Sequence, residues 1–328
     1  AMVDSNILLI QNTKNENRTT SLMVKDNKDN LQKQVANEST IINFNYTNPW
    51  FIGSNVEQKL KNKIEEVGTP LKDKSWNIKI NYGIKTGLND AFVIDKKTKD
   101  QLVTENPKSI EILNPILGGK DLMRFNYSFG ELYLINSHNG VKGSKLKRVE
   151  IDEYPAIKNY LDSKEPKLSK RQDYGDTKYN LRNCAYLEEF QKEKVAWLNL
   201  NRKWKYSYVE PGIYVEASLN FISGEKHIKF LVGILSSKVH LWYFRKTGRM
   251  HDDGGFMCKI DTISNFPVPK ITEQNNKYIE QIESRVNNIL DLKKENMEVD
   301  TKEIEYQIDE IVMDLYNFTE EEKEIIRN

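Results

Sequence analysis

Tyr214–Arg245, reading YVEASLNFISGEKHIKFLVGILSSKVHLWYFR, decides the fold class. Its first part, Tyr214–Ile222, is rich in β-branched and aromatic residues and reads as a strand. Its second, Ile228–Arg245, is mostly apolar and reads as a buried helix. Working outward, further strands are expected at Trp76–Tyr82, Ala91–Asp95, Glu131–Asn136 and Lys194–Leu200, with a helix at Tyr154–Asp162. Strands and helices alternate irregularly, so the expectation is an α+β fold rather than a doubly wound sheet.

Towards the N-terminus, Ser54–Val67 places Val56, Leu60, Ile64 and Val67 at helical spacing. Ser54 is the expected N-cap, Glu57 completes a capping box, and Gly68-Thr-Pro70 ends the helix. The apolar runs Asn6–Gln11 and Thr20–Lys25 read as a hairpin or two sheet strands. The polar stretch Lys25–Asn37 reads as a mobile loop to which LQKQVAN could add a helical turn. Towards the C-terminus, Pro267-Val-Pro269 reads as a stop. Asn276–Lys294 and Thr301–Tyr316 then show helical apolar spacing on either side of a charged turn, the pattern of an antiparallel helical hairpin.

The 328 residues, 38% hydrophobic and 30% charged, are enough to bury a sizeable core. No run of about 18 apolar residues occurs, and no basic segment followed by an apolar one opens the chain, so a cytoplasmic protein without a membrane span is expected. Cys184 and Cys258 have no CxxC or Cys/His spacing, which argues against a disulfide framework and against structural zinc. The opening Ala1-Met2 reads as a cloning remnant, so a piece of a longer chain is expected.

A net charge of +1 conceals an asymmetry. Glu273–Arg327 holds 7 Lys/Arg and 16 Asp/Glu, a charge of −9 that leaves +10 on the residues before it. Lys142–Lys205 alone holds 16 basic and 10 acidic residues, with Tyr154, Tyr160, Tyr174, Tyr179, Trp197 and Trp204 interleaved. A basic, aromatic-rich body suits a polyanion-binding surface, although a Lys- and Asn-rich composition also follows from an A·T-biased genome.

Known catalytic constellations are missing. There is no GxxxxGK[ST], GxGxxG, HExxH or GxSxG. An aminomethyltransferase needs an Asn/Asp-Pro-Pro-aromatic tetrapeptide to grip a flipped base, whereas Asn48-Pro49-Trp50 has a single proline and reads as a turn. Glu189-Phe-Gln-Lys192 and Glu193-Lys194 match a metal-dependent nuclease pattern only by chance in so charged a chain. Of the four histidines, only His251 has neighbouring carboxylates, Asp252 and Asp253; flanking Gly248, Gly254 and Gly255 favour a surface contact loop over a metal site. His240 lies inside the apolar helix and reads as a packing histidine.

The sharpest local string is Gly83-Ile-Lys-Thr-Gly-Leu-Asn-Asp-Ala-Phe-Val-Ile-Asp95. Two glycines bracket Lys85-Thr86 at an expected strand-to-strand junction, where open backbone N–H groups, an ammonium and a hydroxyl can meet a phosphate oxygen. The same residues suit an ordinary tight turn in which Asn89-Asp90 bonds the backbone.

This string is followed in order by Asn114-Pro-Ile-Leu-Gly-Gly-Lys-Asp121, Lys194-Val-Ala-Trp197, Gly233-Ile-Leu-Ser-Ser-Lys238 and Phe266-Pro-Val-Pro269. Together they resemble the TaqI-like C-terminal specificity domain, which sits behind the adenine-specific methyltransferase of type IIG restriction-modification enzymes and related phage-defence methyltransferases. Ile308-Asp-Glu-Ile-Val-Met-Asp-Leu-Tyr316 is similar to the helical ending of such enzymes. The resemblance implies that 1–45 ends an upstream methyltransferase domain, that 46–271 is a target-recognition lobe of mixed strands and helices, and that 272–328 is the helical hairpin. It implies double-stranded DNA as partner, together with methyltransferase or nuclease domains in the same polypeptide. No cofactor is expected in this chain; S-adenosylmethionine, with magnesium for cleavage, belongs to the parent enzyme.

Within that frame, Arg and Lys can pair with guanine edges, Asn and Gln with adenine, and further cations can neutralise phosphate. Lys85, Thr86, Lys120, Arg124, Lys145, Lys147 and Arg148 are the candidates for phosphate and docking contacts, and Asn89 is a further DNA-binding candidate. Arg171, Lys178, Arg182, Asn201, Arg202, Arg249 and His251 are the candidates for reading bases. Two other readings stay open: an endonuclease of unrecognised form, and a scaffold whose acidic C-terminal hairpin docks another subunit.

Overall fold

The computed structural model describes residues 19–22, 31–42, 51, 53–251 and 254–327. The run Asn6–Gln11, the turn at Asn48-Pro49-Trp50 and the pair Asp252-Asp253 lie outside them. The fold is the expected α+β arrangement, a body of mixed strands and helices followed by C-terminal helices.

Two four-stranded sheets organise the body. In the first, the order is Tyr206–Val209, Lys194–Leu198, Leu219–Gly224, Ile78–Tyr82, every neighbouring pair antiparallel. In the second it is Tyr214–Val215, Leu113–Leu117, Leu132–Ile135, Val93–Asp95, with only the first pair parallel. Both faces of the first sheet are covered. Val195, Trp197 and Ile222 pack into a core shared with the helices, whereas Ala196, Leu219 and Phe221 pack into a second core with Phe92, Leu117, Ile157 and Phe190. Polar residues within these strands are buried with them: Asn220 donates to Asn199 Oδ1 at 2.7 Å and Ser223 to Glu189 Oε2 at 2.7 Å.

Lys194 opens the central strand fully buried, its ammonium donating to the carbonyls of Lys192 (2.7 Å) and Glu210 (2.9 Å). Removal from water pulls its pKa down to about 7.

Local signals and observed elements agree at Asn55–Val67, where Ser54 caps the helix and the reciprocal bonds with Glu57 both form. Elsewhere tertiary contacts prevail. Ile228–Arg245 is two helices, Ile228–Ser236 and Lys238–Thr247, because Ser237 adopts extended backbone and turns its hydroxyl to cap the second through His240 N. Pro267–Pro269 does more than stop the chain: it pairs antiparallel with Gly68–Pro70. The polar Lys25–Asn37 stretch contains a full helix, Leu31–Glu38, and Thr19–Ser21 pairs with Thr40–Ile42 across it. His240 is a core histidine as expected: its Nδ1 lies 2.8 Å from the Leu235 carbonyl, its ring packs 4.1 Å from Phe266, and burial holds its pKa at about 3.

The C-terminal hairpin forms from Asn276–Glu295 and Lys302–Leu315, and a third helix, Glu320–Arg327, follows it. The hairpin is fastened to the body. Ile279, Ile282, Val286 and Ile308 enter the first core. Gly233 lets the Ile228–Ser236 helix approach so closely that a Cβ there would stand 2.4 Å from Ile282 Cγ2. Asp309 Oδ1 accepts from the Lys238 backbone N–H at 2.8 Å.

Asp309 is buried, and desolvation raises its pKa to about 6, against the opposing pull of the Lys238 N–H and of Arg124. A carboxyl whose folded pKa exceeds its unfolded value binds its proton more tightly when folded, so stability falls as pH rises from about 4 to about 6 and stays lower above. Asp309→Asn keeps the oxygen acceptor and removes the buried charge. Urea unfolding should show the variant more stable than wild type by about 2–3 kcal/mol at pH 7.5 and equal to it at pH 4. Equal curves at both pH values would refute the assignment.

Candidate nucleic-acid interface

The ends of both sheets coincide on one side of the molecule. The first sheet places Tyr82 beside Asn220 and Leu219 beside Leu198, and the second places Val215 beside Leu117. The chain steps between them at Gly83-Ile84: Gly83 N–H donates to Leu219 at 2.9 Å and Ile84 N–H to Val215 at 2.7 Å. Gly83 is required there, because a Cβ would lie 2.0 Å from the Glu216 carbonyl oxygen. The loops leaving these strand ends therefore start from a common edge.

One of them is the Gly118–Asp121 turn. Gly118 N–H donates to Asp121 Oδ2 (2.7 Å) and Gly119 N–H to Glu216 Oε1 (3.3 Å), which Ser218 Oγ also meets (2.6 Å). Lys120 is left projecting into solvent. A cleft of about 430 Å³ opens beside it, lined by Ile116, Leu132 and Leu198 as well as by Glu216 and Ser218.

Loop 83–90 differs from its expected form. The amides of Gly83, Ile84 and Leu88 are already bonded, and a short helix, Asn89–Phe92, separates the junction from strand Val93–Asp95. Thr86 is buried, its hydroxyl donating to Asn89 Oδ1 (2.5 Å) and accepting from Leu88 N–H (3.2 Å), so its own proton is not offered to phosphate, whereas this bond uses only the oxygen of the exposed Asn89 amide. Gly87 (φ +70°) is exposed, but a Cβ on it would stand 2.6 Å from the Asp173 carbonyl oxygen.

Arg171 is withdrawn from the base-reading set for a physical reason. Its guanidinium is buried over the Phe92 ring at 4.2 Å and donates to the carbonyls of Thr86 (2.5 Å), Asn180 (2.5 Å) and Lys178 (3.0 Å). Burial lowers its pKa to about 10, which still leaves it a cation at neutral pH. Arg171 is the clamp that joins loop 83–90 to segment 171–182. Asn201 is likewise fully buried, closing a turn through Lys205 O and Lys205 N–H, both at 2.9 Å. Arg124 lies across Phe125 and pairs with Glu305 at 2.5 Å, which makes it a strut to the C-terminal hairpin rather than a docking contact.

What the Arg171 clamp presents outward is a carboxylate between two cations. Asp173 pairs with Lys85 at 2.7 Å and with Arg182 at 3.2 Å; all three side chains are partly exposed. The Lys85 ammonium holds the Asp173 carboxyl below its ordinary pKa. Tyr174, 51% exposed, stands next along the chain, and Tyr82, 55% exposed, ends the neighbouring strand. Asn139 bonds Asn183 (2.6 Å) and Asp176 (3.0 Å), while Arg148 pairs with Glu150 and Asp176. Lys145 and Lys147 are exposed on the adjoining loop, where Gly140 and Gly143 have positive φ. Lys178 turns towards Asp162 (3.1 Å) and Glu165 (2.8 Å), and those carboxylates raise its pKa.

A second cluster surrounds the ribbon in which Leu200–Asn201 pairs with Phe256–Met257. Met257 N–H donates to Arg249 O and His251 N–H to Gly255 O, placing exposed Arg202, Arg249, Met250 and His251 about its end. Among the described residues no three His, Cys, Asp or Glu converge as a metal site, and no helix is long and apolar enough to cross a membrane.

Mixed sheets whose strand-end loops carry exposed cations form this region, and residues 114–268 match the family model of the TaqI-like C-terminal specificity domain. The Gly83–Asp95 string lies before the matched segment and the helical hairpin after it. Among solved structures, the chain shares its fold with the type IIL restriction-modification enzyme MmeI, determined in complex with DNA: TM-score 0.52, 14% identity, over 76% of this chain and 35% of that one. The type IIG restriction endonuclease BpuSI aligns with TM-score 0.46 and 15% identity over 80% of this chain and 33% of that one. The chain spans about a third of the length of either enzyme.

The sequence reading missed Asp173, Asn139 and Asn183. Tyr174 was visible only as one of several aromatics interleaved with basic residues. Arg171 and Arg182, alike in sequence context, should separate experimentally. Arg171→Ala strands three carbonyls and is expected to lower stability by about 3 kcal/mol, whereas Arg182→Ala should stay within about 0.5 kcal/mol of wild type in urea unfolding. Equal losses would contradict the clamp.

Proposed function

We propose that this chain recognises a sequence in double-stranded DNA as the specificity portion of a restriction-modification adenine methyltransferase, acting in the bacterial cytoplasm with catalysis in domains carried elsewhere in the polypeptide. The observation that carries this reading is the shared edge of the two sheets, where Lys85, Lys120 and Arg182 stand exposed on loops whose backbones are fixed by hydrogen bonds, with Arg202 and Arg249 exposed about the Leu200–Asn201 ribbon. Rigid loops bearing cations suit a partner that is a regular polyanion read at its base edges. The specificity-domain match and a fold shared with an enzyme solved on DNA support the same reading.

In this scheme Lys85, Lys120, Lys145 and Lys147 neutralise phosphates, and Arg182, Arg202, Arg249 and His251 reach base edges. Arg148 and Lys178 exchange a carboxylate for phosphate on binding. Placing S-adenosylmethionine outside this chain is supported by the glycine pair at a strand end, Gly118-Gly119, whose amides are both bonded to carboxylates, and by a sequence with no Pro-Pro tetrapeptide. That cofactor, and magnesium for any cleavage, belongs in this reading to the rest of the parent enzyme.

Selection of bound duplexes from a random pool tests the proposal. The chain should enrich a definable sequence, and with about six phosphate contacts log K should fall against log salt with a slope of about −5. Lys85→Ala should weaken binding to all duplexes alike and flatten the slope by about one, while Arg182→Ala or Arg249→Ala should relax one base pair of the selected sequence at about 1–3 kcal/mol. A pool that emerges unenriched, with a flat salt titration, would sink the reading.

A further inference from the structure

A carboxylate is an unexpected group at the middle of a DNA-facing edge. Asp173 sits between Lys85 and Arg182 on the segment that Arg171 clamps, and its own backbone packs against Gly87, so it cannot swing away without dismantling that contact. Arg182 is exposed, and its guanidinium meets Asp173 Oδ1 through Nη1 at 3.2 Å. Among the described residues no hydrogen bond is made by the opposite edge, Nε and Nη2.

Resting on the DNA-reading function above, we infer that Asp173 is a specificity-determining residue: it pins Arg182 with the Nε–Nη2 edge presented to a guanine, and its negative charge discourages gripping of phosphate alone. The physical logic lies in what each complex does with the carboxylate. On a cognate site the guanidinium keeps its bond to Asp173 through Nη1 while its free edge donates to guanine O6 and N7, so no charge is stranded. On a non-cognate duplex no guanine acceptors meet that edge. Phosphate must then compete with Asp173 for the same two cations, and the carboxylate repels it. Non-specific binding, which depends on phosphate neutralisation, is reduced more than specific binding. A carboxylate can alternatively accept from cytosine N4, and that role has a different signature.

The test uses the whole chain, a duplex carrying the sequence enriched from the random pool, and a random-sequence duplex of the same length. Asp173→Asn should tighten binding to the random duplex by about tenfold, steepen its salt slope by about one, and leave the enriched duplex bound no more than a few-fold tighter, so that discrimination falls. Asp90→Asn, which removes an equal charge from the neighbouring loop, should change the random-duplex affinity less than twofold. Arg182→Lys keeps a cation for Asp173 but loses the planar fork; it should relax the same base pair as Asp173→Asn, giving a second route to the answer should Asp173→Asn lose its fold. The inference is overturned if Asp173→Asn leaves random-duplex affinity unchanged, if it switches the preferred base instead of relaxing it, if Asp90→Asn matches it, or if the two substitutions act at different base pairs. Failure of the wild-type chain to enrich any sequence overturns the functional reading and this inference together, whereas enrichment without these Asp173 effects overturns the inference alone.

Discussion

The step from Tyr82 to Ile84 carries the architecture. Gly83 N–H bonds Leu219 of one sheet and the next amide, Ile84, bonds Val215 of the other, with the Gly83 Cα pressed against the Glu216 carbonyl. Two sheets joined by successive amides cannot twist independently about that edge. The turns that leave it, around Lys85, Lys120 and Ser218, therefore inherit fixed positions from the sheet cores instead of finding them by loop entropy. Placing binding groups on such a frame limits the freedom lost when a partner docks.

Arg171 extends the frame outward. A long segment between the helix Pro155–Asp162 and strand Lys194–Leu198 has little regular secondary structure, so its backbone carbonyls need partners from elsewhere. A guanidinium offers several donors in a fixed plane, and here it answers three carbonyls from two segments while its face lies on Phe92. Lysine, with a point charge and no flat face, could not do both.

This role also marks where reading the sequence reaches its limit. The capping box at Ser54 and Glu57 was legible because both partners lie within one helical turn, and the strands Ile78–Tyr82 and Lys194–Leu198 were legible because β-branched and aromatic residues cluster there between turn residues. The family resemblance was legible in ordered motifs spread along the chain. Arg171 and Arg182 were not separable, since what distinguishes them is the location of Thr86 and Asp173 in space. Ile228–Arg245 read as one helix because it is mostly apolar; the break at Ser237 is fixed by the Ser237 hydroxyl on His240 N–H and by Asp309 on Lys238 N–H, the second a partner far along the chain. Glu320–Arg327 escaped notice because it offers the core only Ile325 and Ile326 and is otherwise charged, held also by ion pairs of Lys323 with Asp314 and of Arg327 with Glu310.

The same distinction changes what the charge count means. The +10 before the acidic end includes Arg171 and Lys194, both facing backbone carbonyls in the interior, and Arg124, neutralised by Glu305 of the hairpin. Those cations hold the scaffold and present nothing to an incoming polyanion. The acidic residues of the C-terminal helices, in turn, are partly spent on Arg124, His227, Lys323 and Arg327, so the hairpin's negative charge is in part structural glue. The electrostatic footprint is accordingly narrower than the composition implies, lying in exposed side chains of the shared sheet edge, of the adjoining loop with Lys145 and Lys147, and of the ribbon around Arg202 and Arg249. In the DNA-reading role proposed for the chain, a narrow footprint favours discrimination over grip: few enough phosphate contacts that base-edge contacts can decide which duplex is held.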